Sequence, residues 1–227
     1  MSLPREQVLK ELGIAPVWRL KQQAASAAPG DAAGTDRKSR ILQMDWAELK
    51  EAVSACTACD LYKTRTQGVI GVGDEKADWL IIGEAPGADE DAQGEPFVGQ
   101  AGKLLDAMLA AIGLKRGENV YIANVLKSRP PGNRNPAPEE VAACLPYLER
   151  QIQLIQPKII IALGRFAVQS LLNTEEAIGR LRGRVHQYQG IPLVVTYHPA
   201  YLLRNLPDKE KAWEDLCLAR ETMTKTA

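Results

Sequence analysis

Three polar residues sit at the ends of apolar runs, and their types could do chemistry together. Glu84 follows the run 79–82 (WLII) inside the turn Gly83-Glu84-Ala85-Pro86-Gly87. Asn124 lies within 120–126 (VYIANVL). His198, one of 2 histidines, follows 193–197 (LVVTY) and precedes Pro199, which holds it extended. A carboxylate, an amide and an imidazole are groups that move protons and read hydrogen-bonding edges. Each also has a plain structural reading, since a lone histidine at a strand end commonly satisfies its own neighbourhood. Phe97, one of 2 phenylalanines, stands in the glycine-rich stretch 83–106 and is either a core anchor or a platform for a planar ligand. That stretch is no phosphate cradle. It lacks a G-K-[ST] ending, and Glu84, Asp89, Glu90 and Asp91 would repel a triphosphate.

Positive charge gathers in 127–136 (KSRPPGNRNP), a stiff loop carrying Lys127, Arg129 and Arg134 and no acid. Arg204 follows His198 closely, and Arg180, Arg182 and Arg184 form a further group. Such residues hold phosphates, or they are ordinary solvated loop. Of the 4 cysteines, Cys56 and Cys59 form a C-x-x-C pair, while Cys144 and Cys217 stand alone.

The elements that must position these residues are written in the periodicity. The runs 79–82, 120–126, 159–163 and 193–197 read as buried strands. Leu104, Leu105, Met108, Leu109 and Ile112 form a helical stripe closed by Gly113. Val141, Cys144, Leu145, Leu148, Ile152 and Ile155 form a second, opened by Pro138 and interrupted by Pro146, where a kink is expected. Further helices are expected over 165–172 and 208–224. Strands alternating with helices predict an α/β fold: three layers, α/β/α, around a central, mostly parallel four-stranded sheet. In such sheets ligands bind outside the carboxyl ends of the strands, so Glu84, Asn124 and His198 are expected on one rim. Residues 1–23 read as an N-terminal helical segment, 24–40 as a flexible linker, and 41–227 as the folded domain.

The 28 basic and 28 acidic residues cancel, which excludes a binder that relies on bulk charge but leaves room for a local basic strip. No apolar run approaches the roughly 20 residues needed to cross a bilayer, and the first residues are polar, so a cytoplasmic protein without membrane attachment is expected. In that compartment the cysteines are not expected to form disulfides.

Four long motifs in order, GEAPG with EPFVGQAGKLL, VYIANVLKSRPPGNRNP, IIIALG and YHPAYLLR, resemble the iron–sulfur (family 4) uracil-DNA glycosylases over roughly residues 45–220. The resemblance implies an enzyme that flips uracil out of DNA and hydrolyses its bond to the sugar. It implies that Gly83, Glu84 and Ala85 contact uracil and the scissile bond, that Phe97 stacks on the base, that Asn124 reads its edge, and that His198 bonds O2. Glu84 and His198 would be catalytic, and Lys127, Arg129, Arg134 and Arg204 would contact DNA. Glu90 matches an acidic position of less definite role. These roles are chemically sensible. An amide can donate to uracil O4 and accept from N3–H, whereas cytosine reverses that pattern.

The family carries a [4Fe–4S] cluster on four cysteines. Cys56, Cys59 and Cys144 match three of them, but Ser128 occupies the fourth position. Three outcomes stay open: a cluster with Ser128 or water on one iron, a fourth thiolate from Cys217, or no cluster and buried thiols. Uracil-containing DNA is the expected partner of a monomer, with a repair or replication partner for residues 1–23. The alternatives are a relative acting on other deaminated bases and a non-catalytic nucleic-acid module.

Overall fold

Alternation with period two divides each central strand between two faces, and each face recruits its own helices. The computed structural model describes residues 30–226. Strands β1 (Val72–Gly73), β2 (Trp79–Gly83), β3 (Val120–Asn124), β4 (Ile159–Leu163), β5 (Val185–Tyr188) and β6 (Ile191–Thr196) form one sheet in the order β1-β3-β2-β4-β6-β5. The four expected strands are its parallel centre. β1 and β5 add antiparallel edges, so the sheet has 6 strands rather than four. The hairpin joining β5 to β6 turns through Gln189 and Gly190, both at positive φ, which is the conformation a two-residue hairpin with the right twist requires.

Leu80, Ile82, Tyr121, Ala123, Ile160, Ala162, Leu193 and Val195 face the helices Pro138–Ile155 and Arg165–Leu172. Trp79, Ile81, Val120, Ile122, Ile159, Ile161 and Val194 face Gln100–Ala111 and Asp208–Thr226. The layers are therefore α/β/α. The helix Pro138–Ile155 continues through Pro146 as one element. Gly83 and Asn124 continue the second face, and Phe97 packs into that same core.

Residues 38–227 form one compact unit. One expectation is corrected here: Gly30–Ile41 is a helix, where the composition suggested flexible linker over 24–40. Two glycines, two aspartates, Thr35 and Ser39 are poor helix formers and no apolar stripe runs through the segment, so neither propensity nor periodicity marks it. The helical reading of 1–23, and the linker reading of 24–29, lie outside the described residues. Among the described residues no helix is long and apolar enough to cross a membrane.

Candidate active site

The parallel register sets the site. Gly83 pairs with Asn124 where β2 and β3 end, and the chain stays zipped beyond the strands as Val125 and Leu126 donate backbone N–H to the carbonyls of Gly83 and Glu84. This pins the turn carrying Glu84 against the strand carrying Asn124. At the end of β4, Gly164 turns at φ +84 beneath His198, and a Cβ there would stand 2.8 Å from the histidine Cβ. Glu84, Ala85, Phe97, Asn124 and His198 thereby line one cleft of about 700 Å³ at the carboxyl rim. Gly83 does not itself line the cleft but packs behind two residues that do: a Cβ at this position would lie 2.3 Å from Asn124 Oδ1 and 2.6 Å from Phe97 Cζ.

Both readings of Phe97 hold, because the ring is a core member and a cleft wall at once. It lies against His198, with ring centroids 5.4 Å apart. Asn124 is 2 % exposed, and its Oδ1 is a buried acceptor with no hydrogen-bond partner. Leaving an acceptor bare costs about 1–3 kcal/mol, so the site is built for a ligand donor at that point.

His198 Nδ1 accepts the backbone N–H of Ala200 at 3.1 Å. The neutral ring therefore carries its proton on Nε2. Burial, helped by the charge of Arg204, pushes the imidazole down to about 4, so it is neutral at physiological pH. Burial pushes Glu84 the other way, up to about 7, against the opposing pull of Arg165. An acid titrating near neutrality beside a neutral N–H donor is a pairing suited to a leaving anion and a developing cation.

Arg134 and Arg204 also line the cleft. Arg134 is tied to Glu140 through both of its terminal nitrogens. Arg129 donates to Asn133 Oδ1 at 2.8 Å, which fixes a cleft residue the sequence reading passed over. Arg165, Tyr197 and Tyr201 line the cleft as well and were not foreseen. Arg165 could have been, as the first residue after the β4 turn on the same rim.

Lys127 is not a phosphate contact. It is 1 % exposed, and its Nζ donates to Asn124 O at 2.7 Å, Gln151 Oε1 at 2.6 Å and Ile70 O at 3.4 Å. The helix Pro138–Ile155 closes over it and Gln151 supplies an acceptor, so the amine serves the interior, and burial pulls its pKa down to about 7. Arg182 is likewise occupied, by Glu214 and Asp215.

Of the three matching cysteines, the structure pairs Cys59 with Cys144, while Cys56 packs beside a neighbouring cluster of Leu49 and Val53. Cys59 and Cys144 share a side-chain hydrogen bond, and Cys144 Sγ receives the backbone N–H of Lys127 at 3.5 Å. Arg65 joins Cys56 to Ser128, donating to the Cys56 carbonyl at 3.0 Å and to Ser128 Oγ at 2.7 Å. Among the described residues, no three of His, Cys, Asp or Glu come together as ligands of a single ion. An iron–sulfur cube is wider than one ion. The donor chemistry fits three thiolates, with the Arg65 guanidinium and the Lys127 amine close by. It does not fit four, since the fourth position is a hydroxyl already held by a guanidinium. Cys217 cannot make up the number: its helix covers one face of the sheet and the Cys144 helix the other.

A parallel sheet with an orphaned amide oxygen, a stacking ring and a neutral imidazole around one rim cleft defines a protein that grips a flat, hydrogen-bonding heterocycle. The family model of the uracil DNA glycosylase superfamily matches residues 70–217. A type-4 uracil-DNA glycosylase of Archaeoglobus fulgidus is 50% identical over 164 residues, 69% of this chain and 82% of that protein. Those of Pyrobaculum aerophilum and Saccharolobus solfataricus are 43% and 44% identical, over 77% and 78% of this chain and 93% and 85% of theirs. The chain belongs to the uracil DNA glycosylase superfamily and, within it, to the type-4 uracil-DNA glycosylases.

Proposed function

We propose that this chain removes uracil from DNA by hydrolysing the N-glycosidic bond, leaving an abasic site for repair. The observation that carries the reading is the unpartnered Oδ1 of Asn124 in the cleft that also holds Phe97 and the neutral His198. In this reading uracil N3–H donates to Asn124 Oδ1 and uracil O4 accepts from the amide N–H. Cytosine would present N3 as a bare acceptor to an acceptor. Phe97 supplies stacking of about 1–3 kcal/mol, which helps offset the cost of extruding the base.

When the bond from C1′ to N1 breaks, its electron pair leaves with uracil. His198 Nε2–H donates to O2 and stabilises that anion, a contribution of about 2.7–4 kcal/mol for a preorganised donor. Ionised Glu84 steadies the cationic sugar and orients the water that attacks C1′. Gly83 and Ala85 bring backbone close to the base. Arg129, Arg134, Arg204 and Arg165 take phosphates along the rim. Leu203 and Leu206 stand exposed on the segment that carries Arg204 and are suited to fill the gap an extruded base leaves in the stack.

Cys56, Cys59 and Cys144 would hold a [4Fe–4S] cluster through three thiolates, the remaining family position being Ser128, whose hydroxyl accepts from Arg65. When bound, such a cluster supplies a structural staple between the start of the domain and the 128–136 loop, because hydrolysis moves no net electrons. A brown preparation absorbing near roughly 400 nm supports it, and an anaerobic, iron-free, active preparation refutes it. The reading places the protein in the cytoplasm, acting as a monomer, with a repair or replication partner for residues 1–23.

The test is excision from oligonucleotides bearing uracil, hypoxanthine or thymine, scored as alkali-labile breaks. Uracil alone should be released, and His198→Ala and Asn124→Ala should each lose most of the rate at unchanged fold. Wild-type turnover in either variant would defeat the role given to that residue. Release of hypoxanthine in preference to uracil would move the substrate to other deaminated bases.

A further inference from the structure

Phe97 has φ +56, in the left-handed region that bulky side chains rarely adopt. Such strain persists only where neighbours over-determine it. Four constraints meet on this turn. Gly102 leaves room for it: a Cβ there would lie 1.7 Å from the Phe97 carbonyl oxygen. Glu90 grips the amides after the ring, with Oε1 accepting from Val98 N at 3.1 Å and Gly99 N at 3.3 Å. Its Oε2 accepts from Gly87 N at 3.0 Å, which ties the turn back to the Glu84 loop. Arg116 grips the carbonyls before and at the ring, Nη1 donating to Pro96 O at 3.0 Å and Nη2 to Phe97 O at 2.9 Å.

We propose that Arg116 is a positioning residue for uracil excision: its guanidinium fork holds Phe97 in the strained conformation that sets the ring over Gly83 and beside His198. Arg116 does not line the cleft; it follows the helix Gln100–Ala111, and its Nε donates to Asp106 Oδ1 at 2.9 Å, which aims the fork. The chemistry suits arginine alone. Two neighbouring carbonyls need two parallel donors in a rigid plane, which an ammonium does not offer. With the fork removed, the 96–97 peptides are free to relax toward negative φ, and the ring swings from the wall it shares with His198. This rests on the proposed excision of uracil, because the ring matters only if a base lies on it.

The experiment crosses Arg116→Ala and Arg116→Lys with Phe97→Ala, reading single-turnover release of uracil from a single-stranded oligonucleotide together with thermal melting. Arg116→Ala should slow release about tenfold, the scale of a partly lost stacking contact, while Arg116→Lys falls between it and wild type. In the Phe97→Ala background either change should cost less than about twofold, because the group being positioned is gone. Equal losses in both backgrounds would show Arg116 acting through the fold at large and overturn the proposal, as would a wild-type rate in Arg116→Ala. Should Arg116→Ala fail to fold, Arg116→Lys in the same cross reads the same coupling. A folded wild type that leaves uracil in place would overturn the excision reading and this one with it, whereas an active wild type matched by Arg116→Ala overturns the positioning alone.

Discussion

Burial acts on Glu84 and His198 in opposite directions, because desolvation penalises whichever form is charged. It lifts the carboxyl to about 7 and drops the imidazole to about 4. Of these two groups, the histidine stays a neutral donor across pH 5 to 9 and the glutamate titrates. If the carboxylate is the working form, single-turnover excision should climb as pH rises through about 7 and then level off, and Glu84→Gln should lose both the rate and the inflection. The same shift acts on stability. The folded pKa lies above the ordinary 4.5, so the stability this group contributes is fully present below 4.5 and is lost as pH rises through about 7. Glu84→Gln should therefore melt higher than wild type at pH 8, with the gap closing by pH 4.5. A flat pH–rate profile with unchanged melting would show that Glu84 is not the titrating group.

Elements set these side chains by register and by what cannot fit. β2 and β3 end in register at Gly83 and Asn124, and the missing side chain at Gly83 is what lets the amide and the Phe97 ring meet. Gly83→Ala should lower the melting temperature by a few degrees, as overpacking a filled core does, and cut excision by about 100-fold, far more than that loss of stability explains, as displacements near 1 Å at a reacting site do. Lys127 works at this scale too, joining the end of β3 to Gln151 of the helix Pro138–Ile155. Lys127→Met would strip the donor from Asn124 O and Gln151 Oε1, at about 1–3 kcal/mol for each acceptor left bare. It should lower the melting temperature by several degrees yet leave the salt dependence of DNA binding unchanged; a flattened salt slope would return Lys127 to the phosphate contacts.

At the scale of the molecule, zero net charge means that affinity for DNA must come from the rim and not from the bulk. Arg204→Ala should weaken DNA binding and reduce the log–log salt slope by about 1, measured by titration at several salt concentrations. The charge of Arg204 also bears on His198, so the same variant should let the imidazole titrate slightly higher.

The sequence by itself determined the parallel centre of the sheet and the rim on which Glu84, Asn124 and His198 converge. Periodicity of two assigns each strand residue to a face, and the rule that parallel strands present ligands at their carboxyl ends does the rest. The glycines at 83 and 164 were visible as breaks in the apolar runs, though not as the close approaches they allow. Where charge goes depends on packing between distant segments. Lys127 and Arg182 read alike in one dimension as basic loop residues, and nothing in the sequence singles out Arg116. What packs above each one makes the first an internal clamp, the second an ion pair and the third a brace behind Phe97. The edge strands β1 and β5 escaped for a related reason: they are short and half exposed, so their pairing is imposed by a neighbour rather than by a pattern of their own.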